Sequence, residues 1–183
     1  MFRGATGLLA AFLAVSLAAQ NTNPTLPPGA PPPKSTVNVE KAPPKLAHHD
    51  QAFIEKAVEG GRKEVTISQA VMNQLTHSQV RDFANTMITD HTAANMELGS
   101  LAALKGVELP MADSNKLTAK WSATNAKMDK DYIGQMVEDH EDDVELFEKA
   151  SKSEDPDVKA FALKTLPTLR HHLQMAKDLK KAM

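Results

Sequence analysis

Between Asp50 and Leu179 the apolar residues recur in alternating steps of three and four, in four separate stretches. That spacing restricts the chain to helices that each bury one stripe. The first stretch, Asp50 to Leu75, has Phe53, Ala57, Gly60, Glu64, Ile67 and Val71 on its inward line, with Asp50 as the expected cap. The second begins at a cap residue, Ser78, and carries Val80, Ala84, Met87, His91, Ala94, Leu98 and Leu101 before stopping at Gly106. The third, Asp129 to Ala150, aligns Ile133, Met136, His140, Val144 and Phe147. The fourth opens on Asp155-Pro156, an acidic cap with proline at the first helical position, and runs to Leu179. Its stripe is Ala162, Leu166, Leu169, Leu173 and Ala176, with His172 along one edge. Pro167 inside it predicts a kink, because proline lacks an amide and crowds the carbonyl of Leu163. A short extra helix bearing Trp121 is expected from Ser114. No stretch alternates with period two over a strand's length. The expected fold is an all-α, up-down-up-down four-helix bundle with a short extra helix before the third long one.

Each stretch places one ionisable side chain where an apolar one is expected: Glu64, His91, His140 and His172. Glu64 lies eleven residues before Leu75 and His91 thirteen after Ser78. At ~1.5 Å rise per residue, both sit roughly 16–20 Å from their shared end. His140 is ten residues before Ala150 and His172 seventeen after Asp155. Those two are expected roughly 10 Å apart in height, less if Pro167 tilts the last helix. Three of the four thus share a layer, with His172 offset.

A carboxylate and imidazoles in a dry core are costly unless each finds a partner. A single divalent metal (Zn, Fe, Mn or Cu) would satisfy them together. Asp143, three residues past His140 on the same face, would either ligate directly or orient the imidazole. Met87, Met136 and Met175 lie within one turn of these histidines. Thioether beside imidazole suits copper, but methionine is also a common core filler. The competing reading is a hydrogen-bonded polar layer that only fixes helix register. One reading describes a metal-binding protein, the other a non-catalytic envelope protein acting through its surface or a tether. Neither names a substrate. His171 is turned ~100° from His172 and is expected to face solvent. Gly60 and Gly61 are expected to permit close helix approach.

The region before the helices speaks about compartment. Met1-Phe2-Arg3 is a short positive start, Gly7 to Leu17 is apolar, and small residues follow, so residues 1–19 are expected to be a cleaved export signal. That apolar run is too short to span a bilayer well, and no transmembrane helix is expected in the mature chain. Residues 20–49 are proline-rich and are expected to form an extended tether, leaving 50–183 as the bundle. The expected location is the periplasm or the outer membrane. With 21 Lys+Arg against 23 Asp+Glu and no basic stripe, a nucleic-acid partner is not expected. The lack of cysteine excludes disulfides, thiolate ligands and cysteine nucleophiles.

Four motifs in order carry a family resemblance. They are Gly60-Gly61-x-x-Glu64-Val65, Phe83-Ala84-x-x-Met87-x-x-Asp90-His91, His140-x-x-Asp143-Val144-x-Leu146-Phe147, and Phe161-Ala162-x-x-Thr165-Leu166-Pro167-x-Leu169-x-x-His172-Leu173. Over about Ala52 to Leu179 the chain resembles the bacterial family known as domain of unknown function 4142. The resemblance implies a ferritin-like bundle in an exported or outer-membrane protein, with the family pattern falling on Glu64, His91, His140 and His172. It implies no activity. Di-iron bundles use paired Glu-x-x-His motifs. Here Ile88, Val137 and Leu169 stand three residues before the histidines, so one metal is the most this sequence supports.

Overall fold

The computed structural model of the chain describes residues 46–111, 114–121 and 127–183, all within one compact unit, Pro43–Met183. The expected export signal and nearly all of the tether lie outside the described residues. The elements are α1 (His48–Val71), α2 (Ser78–Lys105), a short α3 (Ser114–Thr118) running into a 3-10 turn (Ala119–Trp121), α4 (Met128–Ala150) and α5 (Pro156–Ala182). There is no strand among the described residues, so the chain is all-α as its periodicity requires. No described helix is long and apolar enough to cross a membrane.

Two helix ends follow local chemistry, and two helix starts depart from the expected caps. Asp155 caps α5 as expected, its carboxylate accepting from the amides of Asp157 and Val158 with Pro156 at the first position. α2 ends on Gly106, whose φ of 66° is left-handed; its amide and that of Val107 bond back to Ala103 and Ala102. This pair of bonds closes the helix only because glycine accepts that backbone at no steric cost. α1 begins earlier than expected, with Ala47 as cap residue and Asp50 buried inside its first turn. Ser78 does not cap α2. His77 holds that position without a side-chain cap, and the turn leading into α2 is tied to α4 instead: the Asp129 carboxylate takes the amides of Thr76 and His77 at 3.0–3.1 Å and the Thr76 hydroxyl at 2.7 Å.

That contact also fixes direction and corrects the expected up-down-up-down order. The start of α4 lies beside the start of α2, and at the other end Lys105 of α2 pairs with Asp155 and Asp157 at the start of α5. α2 and α4 therefore run parallel, and the order is up-down-down-up. Residues 106–111 and 114–121 lie on the connection that takes the chain from the end of α2 to the start of α4. The periodicity could not show this, because a face pattern reads the same in either direction. α3 packs on α1 along this connection, Arg62 of α1 donating to the Pro110 carbonyl at 2.7 Å. Trp121 is buried beyond it.

The core has two apolar halves. One is built around Phe53, Phe147 and Phe161, whose ring centroids lie 5.0–6.4 Å apart where α1 and α5 begin. The other gathers Phe83, Met87, Trp121, Tyr132 and Met136 at the opposite end. There, the one buried polar contact of Tyr132 is its hydroxyl against Ser68, 2.7 Å away. Between the halves lie Glu64, His91, His140 and His172, each no more than 5% exposed. α5 runs through Pro167 as one helix, and Pro167 itself faces outward, exposed.

Candidate metal centre

The seam positions of α2, α4 and α5 aim His91, His140 and His172 at one point. Each pair of ring centroids is 5.4 Å apart. One nitrogen per ring lies within 4.8 Å of the others. The expected offset of His172 is absent. Counting residues from the helix ends ignored that each Cα–Cβ bond leans toward the start of its own helix. α4 ends where α5 starts, so His140 leans away from that end and His172 toward it. The two leanings both narrow the gap.

Each ring has one nitrogen held and one left over. Nδ1 of His140 donates to the Met136 carbonyl at 2.9 Å, with Glu64 Oε1 at 3.1 Å. Nδ1 of His91 faces Glu64 Oε2 at 2.8 Å. Nε2 of His172 donates to Asp90 Oδ2 at 2.9 Å. A proton on each of those atoms, held by a hydrogen bond in His140 and His172 and favoured by the nearby Glu64 carboxylate in His91, leaves a lone pair on the opposite nitrogen. Those are Nε2 of His91, Nε2 of His140 and Nδ1 of His172, all buried and without a hydrogen-bond partner. Burial holds all three imidazoles below their usual range, His172 down to about 4 despite its hydrogen bond to Asp90, which pulls it up. They are neutral near pH 7, the form in which imidazole ligates.

Glu64 lies on the side of the protonated nitrogens and touches two rings at once. Its contacts are close but not aligned as hydrogen bonds, so both of its buried oxygens remain unsatisfied. Burial pushes its carboxyl up to about 7, opposed first by His140. Asp143 stands beside it; burial and the Glu64 charge hold Asp143 well above the usual carboxylate range. Two buried carboxyls this close favour holding a proton between them. Outward of them, a groove of about 440 Å³ between α1 and α4 is lined by Lys63 and Asp139, paired at 2.6 Å.

All five sequence-derived candidates come together: His91, His140 and His172 as the nitrogen cluster, Glu64 against two of the rings, and Asp143 next to Glu64. Asp90 as the partner of His172 was missed. It adjoins His91 in sequence, but only the packing of α2 on α5 reveals what it holds. The glycine pair also has a different use from the one expected. A Cβ on Gly60 would stand 3.2 Å from Asp143 Oδ1, and one on Gly61 2.4 Å from Asn95 Oδ1. The two missing side chains make room for polar groups on either side of α1, one from α4 and one from α2. His171 is exposed, as expected.

The fold has a solved counterpart. A DUF305 fragment from Deinococcus radiodurans, known from a crystal structure, is similar with a TM-score of 0.67 at 11% identity, over 76% of this chain and 100% of that one. At that identity the likeness speaks to fold alone. No curated protein matches the chain. The model of the family described as domain of unknown function 4142 matches residues 35–179, most of the chain and every residue of the histidine layer, and the protein belongs to that family.

Proposed function

We propose that this is an exported, ferritin-like protein that binds one divalent metal through His91, His140 and His172. The observation that carries the reading is the set of three buried ring nitrogens, one per histidine, with no hydrogen-bond partner. Each such nitrogen costs about 1–3 kcal/mol in a core, and a polar layer built only for register would be expected to pair them. A metal satisfies all three together. The opposite nitrogens are already held by Glu64, the Met136 carbonyl and Asp90, the arrangement that orients imidazole ligands in metal sites. A nitrogen-only set of neutral imidazoles favours Zn(II) or Cu(II) over Mn(II). Glu64 supplies the compensating negative charge, and Asp143 holds the proton that Glu64 gives up when a cation is present. The single long crossover is the connectivity of ferritin-like bundles. Export rests on the leader-like residues 1–19; mass spectrometry of periplasmic material is expected to find a mature start near Ala19 or Gln20.

The test compares melting temperatures with and without metal, on protein first stripped of metal. Zn(II) or Cu(II) at a hundred times Kd is expected to add about 2.7 kcal/mol, which is roughly 5–10 °C for a chain of this size. His140→Leu and His91→Leu are expected to abolish that gain while leaving the metal-free bundle as stable as before or more so, since an apolar seam replaces a polar one. A wild-type protein whose melting temperature ignores Zn, Cu, Mn and Fe would leave the register-fixing layer as the better reading.

A further inference from the structure

Three imidazoles fill one side of a coordination sphere, and the other side must be occupied by something. On the Trp121 side the layer is sealed by Met87 and Met136, both fully buried. On the phenylalanine side it is not sealed. A cavity of about 30 Å³ lies against His91 and His172, floored by Leu98, Phe147 and Phe161. Water needs roughly 10–15 Å³ of such space and two or more polar neighbours, so this cavity has room for a water or a compact ion.

Besides the two histidines, its polar lining is Asp90, Asn95, Asp143, Thr165 and Thr168. Asn95 of α2 is pressed so closely over the α1 backbone that a Cβ at Gly61 would meet Oδ1 at 2.4 Å, Cγ at 3.2 Å and Nδ2 at 3.3 Å. Both residues line the cavity, as does Asp90, already committed to His172. Thr165 spends its hydroxyl on the Phe161 carbonyl. Thr168 is exposed at the rim and Asp143 reaches the cavity as a carboxyl, so Asn95 is the lining side chain with amide donors to offer.

We propose that this cavity is the site of an exogenous ligand of the metal, water at rest and exchangeable for a small anion, and that Asn95, seated on Gly61, is the residue that positions it. The inference rests on the metal reading above. A structural metal site is closed by four protein ligands, whereas one with three protein ligands and an open position exchanges small molecules. The apolar floor admits compact ligands and excludes organic substrates, which limits the chemistry to molecules of a few atoms.

The probe is azide, titrated into full-length protein loaded with Co(II) or Cu(II) and followed by visible absorption. Metal stoichiometry is measured on the same samples. Wild type is expected to develop a saturable azide band. Asn95→Leu should weaken azide binding about tenfold, the effect of one lost hydrogen bond, with metal affinity unchanged. Gly61→Ala should do the same by displacing Asn95. Ala94→Leu, which fills the cavity from its α2 wall without touching a ligand, should abolish the band. Azide affinities in Asn95→Leu and Ala94→Leu equal to wild type would overturn the proposal, as would a fully metal-loaded wild type without an azide band. A wild type that takes up no metal at all removes the metal reading, and this proposal with it.

Discussion

The phenylalanine end of the bundle and the histidine layer next to it are equally buried and are held together in opposite ways. Phe53, Phe147 and Phe161 gain from every contact they make, and none of the three rings has a polar atom that asks for a partner. In the layer, Glu64 and three histidines have surrendered water without full compensation, and five of their atoms remain unpaired. The first region is where the fold gains stability. The second is where stability is given up, and in natural proteins such a place is usually kept for what it binds.

The contrast can be broken most forcefully at the apolar end. Phe147→Ala removes a ring that is 5% exposed and packed edge-on to Phe53 at 5.0 Å. It is expected to cost about 3–5 kcal/mol in denaturant unfolding, while any metal-induced rise in melting temperature of the folded fraction persists. A loss under 1 kcal/mol would mean this half is not the stabilising one.

The pH dependence sharpens the other side. Burial raises Glu64 to about 7 from an ordinary 4.5, so between those values the folded state binds more protons than the unfolded one. Stability from this group is therefore complete below about 4.5 and is lost as pH rises through 7. Glu64→Gln removes that dependence. Metal-free Glu64→Gln protein should match wild type near pH 4.5 and exceed it by up to roughly 3 kcal/mol at pH 8. The histidines act with the opposite sign: their lowered values make stability fall as pH drops below 6.5, more steeply in Glu64→Gln, where His140 loses the carboxylate that raises it. A wild-type advantage at pH 8 would mean that Glu64 is ionised and well compensated even without metal.

The smallest effect separates the two glycines. Gly60→Ala meets only the flexible end of Asp143 at 3.2 Å and gains helix propensity, so a change within about 1 kcal/mol, of stabilising sign, is expected. If it destabilises the metal-free protein clearly, the Asp143 carboxyl is held beside Glu64 too firmly to give way.

Much of the layer could be read from the chain, because a helix with period 3.6 assigns each residue a face, and an ionisable residue on an apolar face is conspicuous. Glu64, His91, His140 and His172 were identifiable on that ground. Asp155-Pro156 was identifiable as a helix start because a cap acts on amides two and three residues away. The anchoring of the turn before α2 was not readable from its own segment: Asp129 lies more than fifty residues from Thr76 and belongs to another helix. The same holds for Asp90, whose partner sits on α5.

By itself, then, the sequence determined which segments are helical, which face each buries, and that four polar groups interrupt those faces. These follow from interactions within a few residues, and local spacing records them. Tertiary structure alone decided the parallel run of α2 and α4, the levelling of His172 with the other two rings, the nitrogen that each histidine keeps free, and the polar side chains that Gly60 and Gly61 admit. Those depend on how far one helix is shifted along another and on which way each side chain leans. A repeat of three and four residues is indifferent to both.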